Sequence, residues 1–389
     1  MKRFLVIILS LLLFCGCTDS NIYEKNADTG KEAEKTEYKE FTGLWITIYE
    51  LAPKIKDENE YEKQTDEMMR NISSFGFTDI FVQVRANCDS IYYSDIFPPC
   101  YMYAKSGKLS FDALAVLCEK AHENSLKIHA WINPYRICAD CEKQPVNIPA
   151  GIKESEIRKI GKSRYLNPCS EKTVKVILDG IREITENYNV DGIHIDDYFY
   201  PTDKKEIDKK EYEKYISGGG KSNLSDYRRS NVSSLISSIY SLVKAKNENL
   251  IFSISPGADI GKNENLLFAD ISLWCSESGY CDIIIPQIYF GFKNESKPFT
   301  QTFDKWKRIT DNGSVRLCPG LAIYKHGKED KYAGETGKDE WKKHGDIIKR
   351  EVEYARENGA DGFCIFSYNY IFGNRNFTNE EVKNLKSVI

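Results

Sequence analysis

Eight short apolar segments alternate with amphipathic helical patterns along most of the chain, and this alternation constrains the fold more than any other feature. The segments are rich in Ile, Val, Phe and Trp and lack a polar face, which is typical of parallel strands covered by helices. Helical patterns between them include Phe111–Asn124 and Ser225–Lys246. The predicted strands are Gly43–Tyr49, Asp79–Arg85, Lys127–Asn133, Asp191–Asp196, Leu250–Ser255, Asp282–Tyr289, Arg316–Tyr324 and Gly362–Ser367.

The connections between these elements differ in length according to their direction. Helix-to-strand connections are short and carry Asn or Gly, as at Asn124–Ser125 and Asn358–Ala360, whereas strand-to-helix connections are long. Long loops on one rim of eight strand–helix units predict a single (β/α)8 TIM barrel over residues 41–389, with its site at the C-terminal face. The alternative is a doubly wound open sheet, but no G-x-G-x-x-G follows any strand. The long connections are Ala86–Ser110, Ile137–Ser170, Pro201–Leu224 and Lys325–Glu340.

The N-terminus has the charge-then-apolar order of a secretory signal. Lys2 and Arg3 precede an apolar run that ends in Gly16-Cys17, which resembles a bacterial lipobox with Phe14 where Leu is usual. We therefore expect a lipoprotein signal peptide over residues 1–17, acylation of Cys17 and a flexible polar tether over residues 18–40. An uncleaved anchor or a plain signal peptide are the alternatives. We expect the protein to lie on the outer side of the cell membrane, facing the cell exterior or the periplasm, and to be attached to that membrane by lipid.

Composition excludes several classes of protein. The net charge of −4 argues against nucleic-acid binding, and the mean hydropathy of −0.48 argues against a polytopic membrane protein. The five His residues include no H-x-H pair, so no catalytic metal is predicted. Cys138 and Cys141 form a C-x-x-C motif without a second pair, which favours loop thiols or one local disulfide over a zinc site. No cofactor is expected.

The segment Asp191–Pro201 ends the fourth predicted strand and carries the strongest catalytic candidate. Strand alternation directs His194 and Asp196 into the barrel mouth and Asp197 to the other face. Asp196 is therefore predicted to be a nucleophile or an acid/base group. A structural role for Asp196, such as pairing with Arg85, is the alternative. For His194, an interior hydrogen-bonding role is favoured over catalysis.

Other strand ends collect the side chains that bind sugars. Flat aromatic rings stack on the apolar faces of sugars, while amides and Arg bind hydroxyl groups. Arg85 is expected to point inward, where it would hold a catalytic carboxylate or a sugar hydroxyl. A Schiff-base aldolase needs a Lys at a strand end. It fits less well, because the one candidate, Lys325, lies just beyond the seventh predicted strand. The predicted substrate-binding residues are Trp45, Arg85, Trp131, Asn133, Tyr135, Arg136, His194, Tyr198, Gln287, Tyr289 and Tyr324.

Several motifs resemble those of the glycosyl-hydrolase-like 10 family of exported bacterial proteins. The resemblance implies a (β/α)8 barrel with glycoside hydrolase activity, and some members resemble enzymes that cut peptidoglycan strands stripped of their peptides. Two loops, Pro99–Tyr101 and Gly257–Gly261, depart from the family pattern and leave the sugar specificity open. The matching segments are Gly43–Trp45, Phe81–Arg85, Cys88–Ser94, His129–Arg136, Asn167–Pro168, Asp191–Pro201, Ser255–Gly257, Pro286–Tyr289 and Gly320–Lys325.

The sequence thus predicts a membrane-anchored glycoside hydrolase that acts on a cell-envelope glycan. Asp196 needs a second carboxyl group, for which the candidates are Asp89, Asp197 and Glu50 in that order, because Asp89 directly follows strand two and keeps its place in the family motif. A separation of about 5–5.5 Å would mean retention of configuration and about 6.5–9.5 Å inversion. An inactive carbohydrate-binding lipoprotein is the alternative, and a sugar-modifying transferase is a weaker one.

Overall fold

The computed structural model describes residues 40–52, 54–311, 313–373 and 379–389. The predicted signal peptide of residues 1–17, the acylation site Cys17 and all of the predicted tether except Glu40 lie outside the described residues. None of the helices within the described ranges is long and apolar enough to cross a membrane.

A parallel sheet forms the centre of the fold, and every strand in it runs in the same direction as its neighbours. Its strands correspond to the eight predicted segments, and the second has the predicted bounds. The sixth and seventh are much shorter than predicted, because Pro286 and Pro319 lack the amide hydrogen that would extend them. The strands are β1 Phe41–Ile46, β2 Asp79–Arg85, β3 Lys127–Ile132, β4 Gly192–Ile195, β5 Ile251–Ile254, β6 Ile283–Ile284, β7 in two pieces at Arg316–Leu317 and Gly320–Leu321, and β8 Gly362–Phe366.

The two pieces of β7 close this sheet into a ring. The first piece pairs with β6, where Arg316 lies opposite Ile283, and the second pairs with β8, where Gly320 lies opposite Cys364. The sheet's two edges therefore belong to one short chain segment, and eight strand positions surround a common axis. The predicted (β/α)8 barrel is confirmed, and the open doubly wound sheet is excluded.

The longer helices cover the outside of the barrel and present an apolar stripe to it. In the helix over Glu171–Asn187, for example, Val176, Ile177, Ile181 and Ile184 are all buried. Asp112 caps the helix that follows it by accepting from the backbone N–H of Ala115. The helices are α1 Glu58–Phe75, α2 Ala113–Glu123, α3 Glu171–Asn187, α4 Lys209–Ser217, α5 Leu224–Lys246, α6 Ile260–Leu266, α7 Ile271–Ser276, α8 Phe299–Thr310, α9 Gly334–Gly337, α10 Glu340–Lys343, α11 Ile347–Glu357, α12 Tyr368–Phe372 and α13 Glu380–Lys386.

The long loops after β2 and β3 contain structure of their own. A short hairpin pairs Ala104–Lys105 with Lys108–Leu109. A three-stranded antiparallel sheet over Arg136–Cys138, Ser163–Leu166 and Ile157–Ile160 stands beside the barrel mouth. Next to it, Cys138 and Cys141 form a disulfide, which is one of the two non-metal alternatives that the sequence left open. Within the described ranges, no group of three His, Cys, Asp or Glu residues could hold a metal ion.

Apolar side chains inside the barrel are separate from those between barrel and helices. Phe81, Trp45 and Trp131 belong to the inner cluster, together with Cys318 and Cys364. Trp45 and Trp131 stand near the C-terminal ends of their strands, 2% and 6% exposed. They close the barrel interior at its C-terminal end and form the base of the space above it.

Candidate active site

A cleft of about 470 Å³ opens at the C-terminal ends of the barrel strands, on the rim where the sequence placed the site. Its lining combines aromatic rings, amides, one Arg and two carboxyl groups, which is the composition expected of a sugar-binding cleft. The lining residues are Trp45, Thr47, Tyr49, Gln83, Ala86, Asn87, Trp131, Arg136, Ala139, Gln144, Asp196, Asp197, Tyr198, Ser255, Gln287, Tyr289, Tyr324, Phe366 and Tyr370.

Asp196 lies directly after β4 at the base of the cleft and is 5% exposed. Its Oδ1 accepts a hydrogen bond of 2.5 Å from Asn133 Nδ2 and one of 3.3 Å from the backbone N–H of Tyr198. Burial and the neighbouring Asp197 charge raise the pKa of Asp196 to about 7. Asp196 therefore retains its proton up to near-neutral pH, as a general acid must.

Asn133 fixes which oxygen of Asp196 carries that proton. Its own Oδ1 accepts from Gln83 Nε2 at 3.0 Å and from an Arg136 N–H at 3.1 Å, so the Asn133 amide nitrogen is the atom that faces Asp196. Because Oδ1 of Asp196 already accepts two hydrogen bonds, the acidic proton belongs on Oδ2. Asn133 is 1% exposed, and it orients the acid from beneath.

Asp197 shares the cleft with Asp196, although strand alternation had directed it to the other face. The prediction was wrong because β4 ends at Ile195, so the alternation of an extended strand no longer applies at Asp197. Burial raises the pKa of Asp197, while a hydrogen bond from Gln287 favours its ionised form. Two adjacent carboxyl groups that resist simultaneous ionisation therefore lie at the base of the cleft.

Tyrosine rings and one guanidinium group form the cleft walls. Tyr289 and Tyr324 meet edge to face at 5.8 Å between ring centroids, and Phe366 lies 6.0 Å from Tyr324. On another side, the Arg136 guanidinium stacks at 4.2 Å over the ring of Tyr198, which remains 45% exposed. These surfaces can stack against the apolar faces of sugar rings on either side of the carboxyl pair.

Two predicted substrate-binding residues point away from the cleft. Arg85 is 1% exposed and stacks at 4.0 Å over Phe97, close to Gly180 of α3. The pairing of β2 with β3 shifts register between Gln83 and Arg85, and this irregularity turns Arg85 outward, so the inward prediction was wrong. Tyr135 is 1% exposed within the outer apolar core, because β3 ends at Ile132 and the alternation stops there.

His194 lies inside the barrel beneath the cleft and is fully buried. Trp45 Nε1 donates to its Nε2 at 3.1 Å, so the ring proton is on Nδ1, which donates to Ser253 Oγ at 2.8 Å. Burial holds the pKa of His194 well below its usual value, and the ring is neutral. The interior hydrogen-bonding role is confirmed. The predicted contact of His194 with substrate is wrong, because Trp45 stands between His194 and the cleft.

The other two candidates for the second carboxyl group lie outside the cleft lining. Asp89 is 1% exposed, accepts from Asn147 Nδ2 at 3.1 Å, and burial raises its pKa to about 6. Glu50 accepts from the Thr47 backbone N–H at 2.7 Å and also from Ser367 and Asn369. Glu50 thereby ties the loop after β1 to the loop after β8. Of the three candidates, Asp197 alone lines the cleft with Asp196.

Several lining residues were not among the predicted site residues. Tyr49 is the last residue of the first predicted strand, so its place at a strand end could have identified it as a cleft residue. Tyr370 belongs to the short α12 after β8. Gln144 lies within a long loop, and its Oε1 accepts from the backbone N–H groups of Ala139 and Asp140. The further lining residues outside the predicted set are Thr47, Gln83, Ala86, Asn87, Ala139, Ser255 and Phe366.

An eight-stranded parallel barrel with two acidic side chains at the base of a ring-lined cleft is the arrangement expected of the barrel glycoside hydrolases. The sequence profile of the family described as glycosyl hydrolase-like 10 matches residues 40–334. The chain belongs to this glycosyl hydrolase-like 10 family, as its motifs predicted.

Curated relatives support this assignment. The chain is 31% identical over 289 residues to glycosyl hydrolase YngK of Bacillus subtilis strain 168, an alignment that covers 68% of this chain and 56% of that protein. It is 26% identical over 294 residues to glycosyl hydrolase DigH of Escherichia coli K12, covering 67% of this chain and 65% of the relative. The chain thus spans less than two thirds of the length of either relative.

Solved structures match the fold. The glycoside hydrolase domain of PgaB (BpsB) from Bordetella bronchiseptica aligns with a TM-score of 0.58 and 11% identity, over 90% of this chain and 98% of that domain. The catalytic domain of a β-amylase from Paenibacillus polymyxa aligns with a TM-score of 0.60 and 11% identity, over 90% and 97% of the two chains. At this level of identity the likeness concerns the barrel alone.

Proposed function

We propose that the protein hydrolyses O-glycosidic bonds of a cell-envelope glycan, such as peptide-free peptidoglycan strands, with Asp196 as general acid and Asp197 as the second carboxyl group. One observation carries the proposal: the two carboxyl groups stand together at the base of a cleft lined by rings and amides. Hydrolysis of a glycosidic bond requires two carboxyl groups in complementary protonation states. The raised pKa of Asp196 and the hydrogen bond from Gln287 to Asp197 support that assignment of roles.

The reaction follows from these roles. Asp196 Oδ2 gives its proton to the glycosidic oxygen as the bond between that oxygen and the anomeric carbon breaks. In a retaining reaction, ionised Asp197 bonds to the anomeric carbon as the leaving oxygen departs; water, which gives a proton to the Asp196 carboxylate, then breaks that bond and leaves the configuration retained. In an inverting reaction, Asp197 instead takes a proton from the water that attacks the anomeric carbon directly. The Asn133 amide and the Arg136 charge stabilise the carboxylate that forms on Asp196, because both favour its ionised state.

The class of substrate is inferred from the cleft walls and from the motifs. Tyr198, Tyr289 and Tyr324 provide ring faces for sugars, and Gln83 and Gln287 provide amides for hydroxyl or acetamido groups. The family motifs point to envelope glycans, and the N-terminal pattern points to export. Because the aromatic walls stand close to the carboxyl pair, the cleft suits a glycan from which the peptides have been removed.

Release of reducing ends from purified peptide-free glycan strands tests this proposal. The full chain, solubilised in detergent, is expected to release reducing ends continuously, and mass spectrometry should show products that have each gained one water. Products joined to an added acceptor sugar would indicate a transferase instead. Binding of the strands without any release of reducing ends would contradict hydrolysis and support the inactive carbohydrate-binding lipoprotein.

We also propose that the protein is exported and held on the outer side of a cell membrane by lipid on Cys17. The support is the charged, apolar and Gly-Cys order of residues 1–17. Cys17→Ser is expected to move the protein out of the acylated membrane fraction, as followed by incorporation of labelled fatty acid. The matched control is Cys15→Ser, which should leave acylation unchanged. Equal labelling of the Cys17→Ser chain and the parent chain would contradict the lipid anchor.

A further inference from the structure

Lys325 directly follows the cleft residue Tyr324 but does not line the cleft itself. Its ammonium group donates a hydrogen bond of 2.6 Å to the backbone carbonyl of Tyr289 and one of 2.7 Å to Asp330 Oδ2. The side chains of Lys325 and Asp330 are only 18% and 8% exposed. The ammonium group is therefore bound to two partners within the protein and is not presented to a substrate.

The hydrogen bond from Lys325 to Tyr289 joins the loop after β6 to the turn after β7. Tyr289 lies beyond the backbone bridge between Gln287 and Gly320, and its own N–H donates to the carbonyl of Gln287 within a tight turn. Lys325 ends the short 3-10 turn Ile323–Lys325, which also contains Tyr324. Hydrogen bonds from a charged donor are about twice as strong as neutral ones. Lys325 thus connects the backbone of one tyrosine to the turn that carries the other.

Tyr289 and Tyr324 belong to one wall of the cleft, together with Phe366. The two tyrosine rings meet edge to face at 5.8 Å between centroids, and Phe366 lies 6.2 Å from Tyr289 and 6.0 Å from Tyr324. Ring contacts of this kind depend on the distance and angle between the rings. Because the rings belong to separate loops, a bond that joins the two loops also fixes the arrangement of this wall.

We propose that Lys325 is a positioning residue for substrate binding, which holds Tyr289 and Tyr324 in the arrangement that receives a sugar ring. The inference rests on the proposed function, because it takes the tyrosine wall as a surface on which sugar stacks. It gives a role to the one lysine near a strand end, whose amine is committed to Tyr289 and Asp330. Lys325 acts through Tyr289 and does not touch the substrate.

Binding of an octasaccharide from peptide-free peptidoglycan strands, titrated by calorimetry into the full-length Asp196→Asn chain, tests this role without turnover. Adding Lys325→Met is expected to weaken binding about fivefold, because the Tyr289 backbone loses its partner. In a chain that already carries Tyr289→Ala, Lys325→Met should change binding less than about twofold, since the ring it positions is gone. In the otherwise unmodified chain, Lys325→Met should raise KM about fivefold and change kcat less than about twofold.

Asp330→Asn separates this role from the loss of a buried ion pair. The amide oxygen that it introduces can still accept from Lys325, so the bond to Tyr289 remains. Lys325→Met and Asp330→Asn should both lower the unfolding temperature, but only Lys325→Met should weaken octasaccharide binding. The combined Lys325→Met and Asp330→Asn chain, which has no unpaired buried carboxylate, should show the same weakened binding. Lys331→Met, an exposed lysine of the same loop, is the matched control and should change neither property.

The tyrosine rings also provide a readout that needs no sugar. With 3-fluorotyrosine incorporated, and the signals of Tyr289 and Tyr324 assigned by substitution with Phe, Lys325→Met should shift both fluorine resonances, and Asp330→Asn should shift them less. Unshifted resonances, equal weakening of binding by Lys325→Met and Asp330→Asn, or a full effect of Lys325→Met in the Tyr289→Ala chain would overturn the positioning role while leaving hydrolysis intact. Shifted resonances in a chain that neither binds nor cuts the glycan would retain the role of Lys325 in holding the wall and refute the proposed function for this glycan.

Discussion

Asp196→Asn is expected to lower kcat for glycan hydrolysis about a thousandfold, with KM changed less than about threefold. The Asn side chain keeps the shape of Asp196 and can still accept from Asn133 Nδ2 and the Tyr198 N–H, but it cannot give a proton to the glycosidic oxygen. The loss therefore falls on the chemical step. Initial rates of reducing-end release at pH 6, over a range of strand concentrations, measure it.

Asp203→Asn is the matched control, because Asp203 lies in the same loop after β4 and is exposed to solvent. It should leave kcat unchanged. The pKa of Asp196 is raised in the folded state, so its carboxyl group destabilises the protein increasingly as pH rises from about 4 towards about 7. Asp196→Asn should therefore unfold at a temperature no lower than the parent chain at pH 8. A folded Asp196→Asn chain with more than a tenth of parental kcat would contradict the assignment of the general acid.

Asp197→Asn should lower kcat about a hundredfold and also move the pH dependence of the remaining activity. In the parent chain, activity requires protonated Asp196, so it should fall as pH rises through about 7. The charge of Asp197 contributes to that raised pKa, and its removal should shift the alkaline fall to lower pH. The pH dependence of kcat for the parent chain and the Asp197→Asn chain measures both effects.

Two readouts make this second prediction specific. The shift in the alkaline fall should appear in the Asp197→Asn chain and not in the Asp203→Asn control, which removes a carboxylate outside the cleft. An alkaline fall that does not move would mean that Asp197 does not act on Asp196. Nuclear magnetic resonance of the first product formed by the parent chain then assigns the role of Asp197: retained configuration identifies a nucleophile, and inverted configuration a general base.

The barrel could be predicted from the sequence because its signal is repeated. Eight apolar runs with short returns to each strand leave few topologies, and the observed ring contains all eight. The sixth and seventh strands were predicted too long, because the apolar runs continue across Pro286 and Pro319 whereas strand pairing does not. The apolar pattern reports burial, whereas a strand also requires backbone N–H groups that can pair.

Strand alternation predicted the direction of a side chain correctly only where regular strand pairing persists, although Tyr198, Tyr289 and Tyr324, beyond the strand ends, line the cleft as predicted. Trp45 and Trp131 line the cleft as predicted, but the register shift before Arg85 and the early end of β3 before Tyr135 reverse the expected directions. Residues deep within the long loops were beyond such reasoning. Gln144 reaches the cleft because two backbone N–H groups of a disulfide loop hold it, and that tertiary arrangement has no periodic signature in the sequence.

A crystal structure of the full-length Asp196→Asn chain with a bound octasaccharide from peptide-free peptidoglycan would show whether Asp196 faces the bond that is cut. We predict that the side-chain amide of residue 196 lies about 3 Å from one glycosidic oxygen, with the Asp197 carboxylate facing the adjoining anomeric carbon. A glycan seated in the cleft with every glycosidic oxygen beyond hydrogen-bond reach of residue 196, or with Asp89 as the nearest carboxyl group, would contradict the account.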